Sequence, residues 1–248
     1  FSTMMTSRGC TARCEFCTSV QMNQYKWRQR SPGAVVDEIE YLNKTYDISH
    51  MYFQDDEFTV NHRRVIEICD EIKRRNLDII WECLTRVSNV KEDILQKMYE
   101  GGCRSIIYGV ECGYQEGIDR LKKFITLEQV ERAVALTKKA GIQVKCSFLI
   151  GFPWEGEKEI KQTIAFAKKI DADITYFNTL NPYYETPIFK EVAENNLFVG
   201  EDATNWELHI SHGSRAIVRR KYLTVEELAY LNGRAFFSLT DITLISFK

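Results

Sequence analysis

Three cysteines stand at positions 10, 14 and 17 of TSRGCTARCEFC, residues 6–17, with three and then two residues between them. Spacing this short lets one loop wrap a compact metal centre, and the count of donors decides which kind. A structural zinc site takes four protein ligands. The nearest histidine in sequence, His50, enters a strand candidate from the wrong end. A four-iron cluster also needs four ligands, so three thiolates leave one iron open to an outside molecule. Thiolates are favoured by neighbouring positive charge, and Arg8 and Arg13 flank the triplet. On the triplet alone, zinc, an iron–sulfur centre and a binding module without turnover all stay open.

Short β-rich runs alternate with helical ones along the chain. Strands are expected at 2–7, 50–55, 79–85, 105–111, 143–151 and 174–180, and helical patterns at 32–46, 61–75, 91–101, 115–140 and 156–170. Ser31-Pro32 opens the first helix, with serine as N-cap and proline at the first helical position. Thr126 with Gln129, and Thr224 with Glu227, have the spacing of capping boxes. Gly141, after two lysines and an alanine, is a helix stop. Such alternation argues for a parallel sheet with right-handed crossovers. Full closure needs eight units, and six are counted, so the expected fold is α/β, a partial (β/α)6 TIM-like barrel. Residues 1–196 make its core, and residues 197–248 a C-terminal helical appendage packed on it. In such sheets functional groups gather at the carboxyl ends of the strands, and the cysteine loop follows the first strand.

The chain has 248 residues, 44% hydrophobic and 27% charged, with a net charge of −2. It is an ordinary globular composition, with no global pull toward nucleic acid or membrane. No apolar run approaches the ~18 residues of a membrane span, and no signal peptide is visible. Eight cysteines are too sparse here for a disulfide scaffold. Cys69, Cys83, Cys103, Cys112 and Cys146 lie in apolar stretches and read as core, which suits a reducing, cytoplasmic setting. The chain begins at Phe1, as expected of a piece of a longer protein with a domain upstream.

The C-x3-C-x2-C spacing with Phe16 before the last cysteine resembles the signature of the radical S-adenosylmethionine (SAM) superfamily, and later strand ends resemble it too. The resemblance implies that Cys10, Cys14 and Cys17 hold a [4Fe–4S] cluster whose open iron binds SAM, with Phe16 beside it. FQDDEFT (53–59) falls where the family binds the SAM amino group, which points to Asp55, Asp56 and Glu57; the plainer reading is a solvated acidic turn. Arg86 would pair with the SAM carboxylate, or be a surface arginine. Glu111, in YGVECG, matches the ribose-contacting position, or forms a structural ion pair. SFLIGFPWEGE (147–157) resembles the adenine-supporting G-x-I-x-G-x-x-E stretch through Ser147 and Gly151. Ser147 replaces its first glycine there, and the acid falls one place late, at Glu155. NTLNPYYETPIF (178–189) is similar to the family's PYPGT loop.

Within the superfamily the wording most resembles members with an upstream cobalamin-binding domain, which methylate carbon or phosphorus or close rings, as the anaerobic porphyrin cyclase does. That implies an enzyme, a cobalamin-dependent methyltransferase or a related carbon-skeleton enzyme acting on a small molecule. It also implies cobalamin as a third cofactor and an electron donor such as flavodoxin or ferredoxin. The alternative is cobalamin-independent modification of RNA or peptide. QMNQYKWRQR (21–30) is basic and aromatic; closing over the cluster and SAM is its preferred role, ahead of a plain solvated surface and then of a nucleic-acid patch. HISH (209–212) reads as a polar loop and not as a second metal site. Cys112 follows Glu111 and reads as core.

Overall fold

The computed structural model describes residues 1–199 together with 218, 219, 224, 227, 228, 230 and 231. Its strands are β1 Ser2–Met4, β2 Ser7–Arg8, β3 Arg28–Gln29, β4 His50–Phe53, β5 Ile80–Thr85, β6 Cys103–Glu111, β7 Gln143–Ile150 and β8 Ile174–Thr179. The helices are α1 Ser19–Met22, α2 Pro32–Tyr46, α3 His62–Arg74, α4 Glu92–Glu100, α5 Gln115–Arg120, α6 Leu127–Lys139, α7 Glu157–Lys169 and α8 Pro187–Glu194. Six strands form one parallel sheet in the order β1-β4-β5-β6-β7-β8. β1 and β8 are its two edges, so the barrel is partial, as the alternation predicts. None of the described helices is long and apolar enough to cross a membrane.

Period-two burial sets the two faces of the sheet. On β5 and β7, Trp81, Cys83, Val144, Cys146, Phe148 and Ile150 are buried, while Glu82, Leu84, Lys145 and Ser147 between them are only partly so. Phe53, Phe58 and Trp81 pack ring to ring at 5.0–5.3 Å in the core. The five cysteines outside the triplet are all buried and free. Ser31 caps α2 with Pro32 in its first turn, and Thr126 with Gln129 makes the expected capping box on α6.

Three local departures matter for the site. β1 is shorter than expected, because Ser7 and Arg8 leave the sheet to pair antiparallel with Arg28 and Gln29. The helical region at 115–140 is two helices, since Lys122 (φ 49°) and Phe124 (φ 53°) turn the chain between them. A further helix, α8, follows β8, with Thr186 capping the amide of Phe189 and Pro187 in the first turn. Of the expected appendage, Phe198 bridges Val218, and Leu228 and Leu231 are buried with Ile150 and Ile160. Thr224 and Glu227 exchange the two bonds of a capping box. The HISH stretch lies outside the described residues.

Candidate active site

Two acids at the end of β4 pin the start of the cysteine loop. The Asp55 carboxylate accepts from the Thr6 amide (2.6 Å), Thr6 Oγ1 (2.6 Å) and Ser7 Oγ (2.5 Å). Asp56 accepts from the Gly9 amide at 2.8 Å. Gly9 itself has φ of 90°, and a β-carbon there would stand 2.3 Å from the Lys26 carbonyl oxygen. Only glycine allows both the left-handed turn and this close approach. Gly9→Ala is therefore expected to lower stability by at least about 1–3 kcal/mol and to reduce iron loading. Urea unfolding and iron analysis measure the two effects.

Beyond Gly9, the thiols of Cys10, Cys14 and Cys17 line one cavity of about 400 Å³, and Phe16, Asp55, Asp56, Arg86, Glu111 and Ser147 line it with them. All three thiols are free and partly exposed. Burial pushes Cys10 up to about 11 and raises Cys17 as well, so metal binding here must release protons. The flanking arginines do not line this cavity. Arg8 and Arg13 are exposed, and the Arg13 guanidinium lies 5.5 Å from the centre of the Tyr25 ring. Arg86, at the end of β5, instead donates from Nη1 to Cys14 Sγ at 3.6 Å. Its Nη2 donates to the Lys123 carbonyl.

Glu57 and Gly151 do not line this cavity. Glu57 is fully buried. Its carboxylate accepts from the Thr59 amide (3.2 Å) and hydroxyl (2.9 Å), from Thr85 Oγ1 (2.7 Å) and from Asn89 Nδ2 (3.1 Å). It ties the turns after β4 and β5 together. Gly151 has φ of 93°, and its amide donates to Glu155 at 2.6 Å. Glu155, also fully buried, accepts in addition from the Phe152 amide (3.0 Å) and the Tyr114 hydroxyl (3.1 Å). It braces the loop after β7. Glycine at 151 supplies the left-handed turn that this brace needs.

Glu111 is held in the cavity by a feature with no local sign in the sequence. The register of β6 shifts between Gly109 and Glu111, and Glu111 sits at φ of 71°. A bulge at a sheet's functional end re-aims one side chain, and a left-handed glutamate persists only where its surroundings impose it. Lys123 does so: its Nζ lies 3.1 Å from Glu111 Oε1, with side-chain exposures of 7% and 9%. The same ammonium lies 5.7 Å from the centre of the Phe16 ring. Gly109 leaves the space, since a β-carbon there would stand 2.5 Å from Glu111 Oε1. Lys123 was not among the expected site residues; the only signal was a pair of lysines in a long helical pattern.

The donor set fits an iron–sulfur group. It offers three free thiols on one wall, a guanidinium on one of them, and the Ser19 hydroxyl, buried at the cavity wall without a partner. A volume of this size is also that of a small-molecule site. Cysteines placed this way, at the carboxyl ends of the strands of a parallel sheet, stand where such folds bind their ligands.

A family model described as the radical SAM superfamily matches residues 4–167, and the chain belongs to that superfamily. An uncharacterized methyltransferase of Pyrococcus horikoshii is 35% identical over 238 residues, covering 96% of this chain and 51% of the relative. The anaerobic magnesium-protoporphyrin IX monomethyl ester cyclase of Rubrivivax gelatinosus is 31% identical over 194 residues, 76% of this chain and 34% of the relative. The chain thus spans about half, or less, of the curated relatives it matches. Among solved structures, the radical SAM methyltransferase TsrM from Kitasatospora setae, with cobalamin and a [4Fe–4S] cluster bound, superposes with a TM-score of 0.72 at 24% identity. That match covers 79% of this chain and 37% of TsrM. OxsB, a cobalamin-dependent SAM radical enzyme, gives 0.73 at 19% identity over 93% of this chain and 40% of its own. Both likenesses establish the fold.

Proposed function

We propose that this chain is the catalytic core of a cobalamin-dependent radical SAM methyltransferase. Cys10, Cys14 and Cys17 would hold a [4Fe–4S] cluster, and SAM would lie across the cavity toward Glu111. The observation that carries the reading is the grouping of the three thiols, Arg86 and the Glu111–Lys123 pair around one cavity of about 400 Å³. When bound, these cofactors supply one-electron cleavage of the sulfonium to a 5′-deoxyadenosyl radical.

The chain's own residues bind, orient and exclude water. Arg86 steadies Cys14 and offers cationic charge beside an anionic metal group. The Glu111 carboxylate, fixed by Lys123, has lone pairs to accept two neighbouring hydroxyls of a ribose. Leu84 and Ile107, with Phe16 and Val20, belong to the apolar part of the wall, which would help keep a reactive radical from water. Methylation in place of another radical outcome rests on relatives named as methyltransferases. On this reading cobalamin is held by a further part of the full-length protein.

The test uses the full-length protein, reconstituted anaerobically with iron and sulfide and reduced with dithionite. Formation of 5′-deoxyadenosine is expected, with S-adenosylhomocysteine and a retained corrinoid. Absence of SAM cleavage would overturn the radical reading. Cleavage without S-adenosylhomocysteine would overturn methylation and favour ring closure, the reaction named for the cyclase relative.

A further inference from the structure

Cys17 lines two spaces. One is the inner cavity; the other is an outer groove of about 490 Å³ walled by Arg8, Arg28, Met5, Met22 and Asp56, among others. The basic loop at 21–30 belongs to this outer side. None of its residues lines the inner cavity, and Met22, Tyr25, Lys26 and Arg28 are exposed. The loop thus stands on the groove side of Cys17 and outside the inner cavity.

The charge is arranged against local stability. Arg8 and Arg28 are directly opposite partners in the β2–β3 ladder, a placement that is unfavourable for like charges. Among the described residues, Arg8, Arg13, Lys26 and Arg28 make no ion pair within 4.0 Å. The nearby acids are engaged elsewhere: Asp56 accepts from the Gly9 amide, and Glu15 pairs with Lys122 at 2.5 Å. Met5 and Met22, which share the groove with Arg8 and Arg28, are 48% and 78% exposed, and Lys26 is exposed on the same loop as Arg28. Arginine, methionine and tyrosine together are the composition of protein-binding surfaces, and an unpaired cationic rim steers an acidic partner.

We infer that this groove is the docking face for an acidic one-electron carrier protein of the flavodoxin or ferredoxin kind, with Cys17 as the wall between carrier and bound metal group. The inference rests on the radical SAM reading, which consumes an electron. The reduced carrier loses one electron, the metal group held by the thiols gains it, and no bond or proton changes. The other five cysteines are buried in the core, so Cys17 is the thiol that faces this groove.

The experiment takes the reconstituted full-length protein with an acidic flavodoxin as probe. Its variants are Lys26→Glu and Arg28→Glu, singly and together, their glutamine counterparts, and Lys158→Glu on α7 as a distant control. Two quantities are measured: flavodoxin affinity, titrated without turnover, and the rate at which flavodoxin hydroquinone bleaches the cluster absorbance. The double reversal is expected to weaken both by about 10-fold or more at low salt, with smaller losses for the glutamine variants. Lys158→Glu and reduction by dithionite should be unaffected, and the wild-type rate should fall as salt rises.

Unchanged flavodoxin binding in the double reversal would overturn the inference. So would an equal fall in the dithionite rate, which would place the loop in cluster assembly. Self-association or RNA binding lost in the reversals in place of flavodoxin binding would assign the face to those occupants and overturn it too. If wild type is reduced yet never cleaves SAM, the radical reading fails while the docking measurement still stands.

Discussion

Cys14→Ala is expected to leave a folded protein that does not retain its iron. Removing an outer partner of a metal ligand commonly lowers metal affinity by about 10–100-fold, and removing a ligand from a trio with no spare should exceed that. Cys14 is only partly exposed but free, and its contact is the Arg86 guanidinium at 3.6 Å. Its loss should therefore change stability by no more than about 1 kcal/mol. Iron and sulfide per chain should fall toward zero, and 5′-deoxyadenosine should fall by more than about 100-fold. Arg86→Ala should be milder, since the thiol trio survives it. Cys146→Ala makes the opposite pattern: that side chain, on β7, is fully buried in the core, so stability drops while iron is kept. Iron retained in Cys14→Ala would refute the ligand assignment.

Much of this frame was legible because local signals agreed with the tertiary answer. Ser31-Pro32 is both a cap sequence and an actual cap, and Asp55 stands at a strand end where such groups are expected. Legibility stopped where a contact distant in sequence decides the conformation. Lys122 and Phe124 adopt left-handed φ without any glycine, asparagine or proline to announce it. Their turn is fixed from outside, by the Glu15 amide on the Leu121 carbonyl and by Arg86 on the carbonyl of Lys123. A run of acids such as Asp55-Asp56-Glu57 is similarly opaque. All three can accept hydrogen bonds, and only the neighbours in space send Glu57 to Thr59, Thr85 and Asn89 and leave Asp55 and Asp56 on the cavity. Residue type showed that charge would gather at these strand ends, but not which charges would face the cofactors.

Lys123→Met should be the most damaging change outside the thiols, through both stability and binding. The substitution keeps much of the stem's volume and removes the charge, leaving the Glu111 carboxylate buried, left-handed and unpaired. Breaking a buried pair from one side costs about 3–5 kcal/mol, most of it the penalty on the remaining charge. Adding Glu111→Gln should relieve that penalty, so the double variant is expected to regain most of the lost stability. SAM affinity, measured by equilibrium dialysis on the cluster-loaded protein, should not return, because the anchored carboxylate is what the ribose would meet. Lys123→Arg should keep an ion pair and lose less of either property. A purely structural pair predicts the reverse for binding: the stabilised double variant would hold SAM as wild type does. That result would remove Glu111 from the binding site while leaving the thiol assignment untouched.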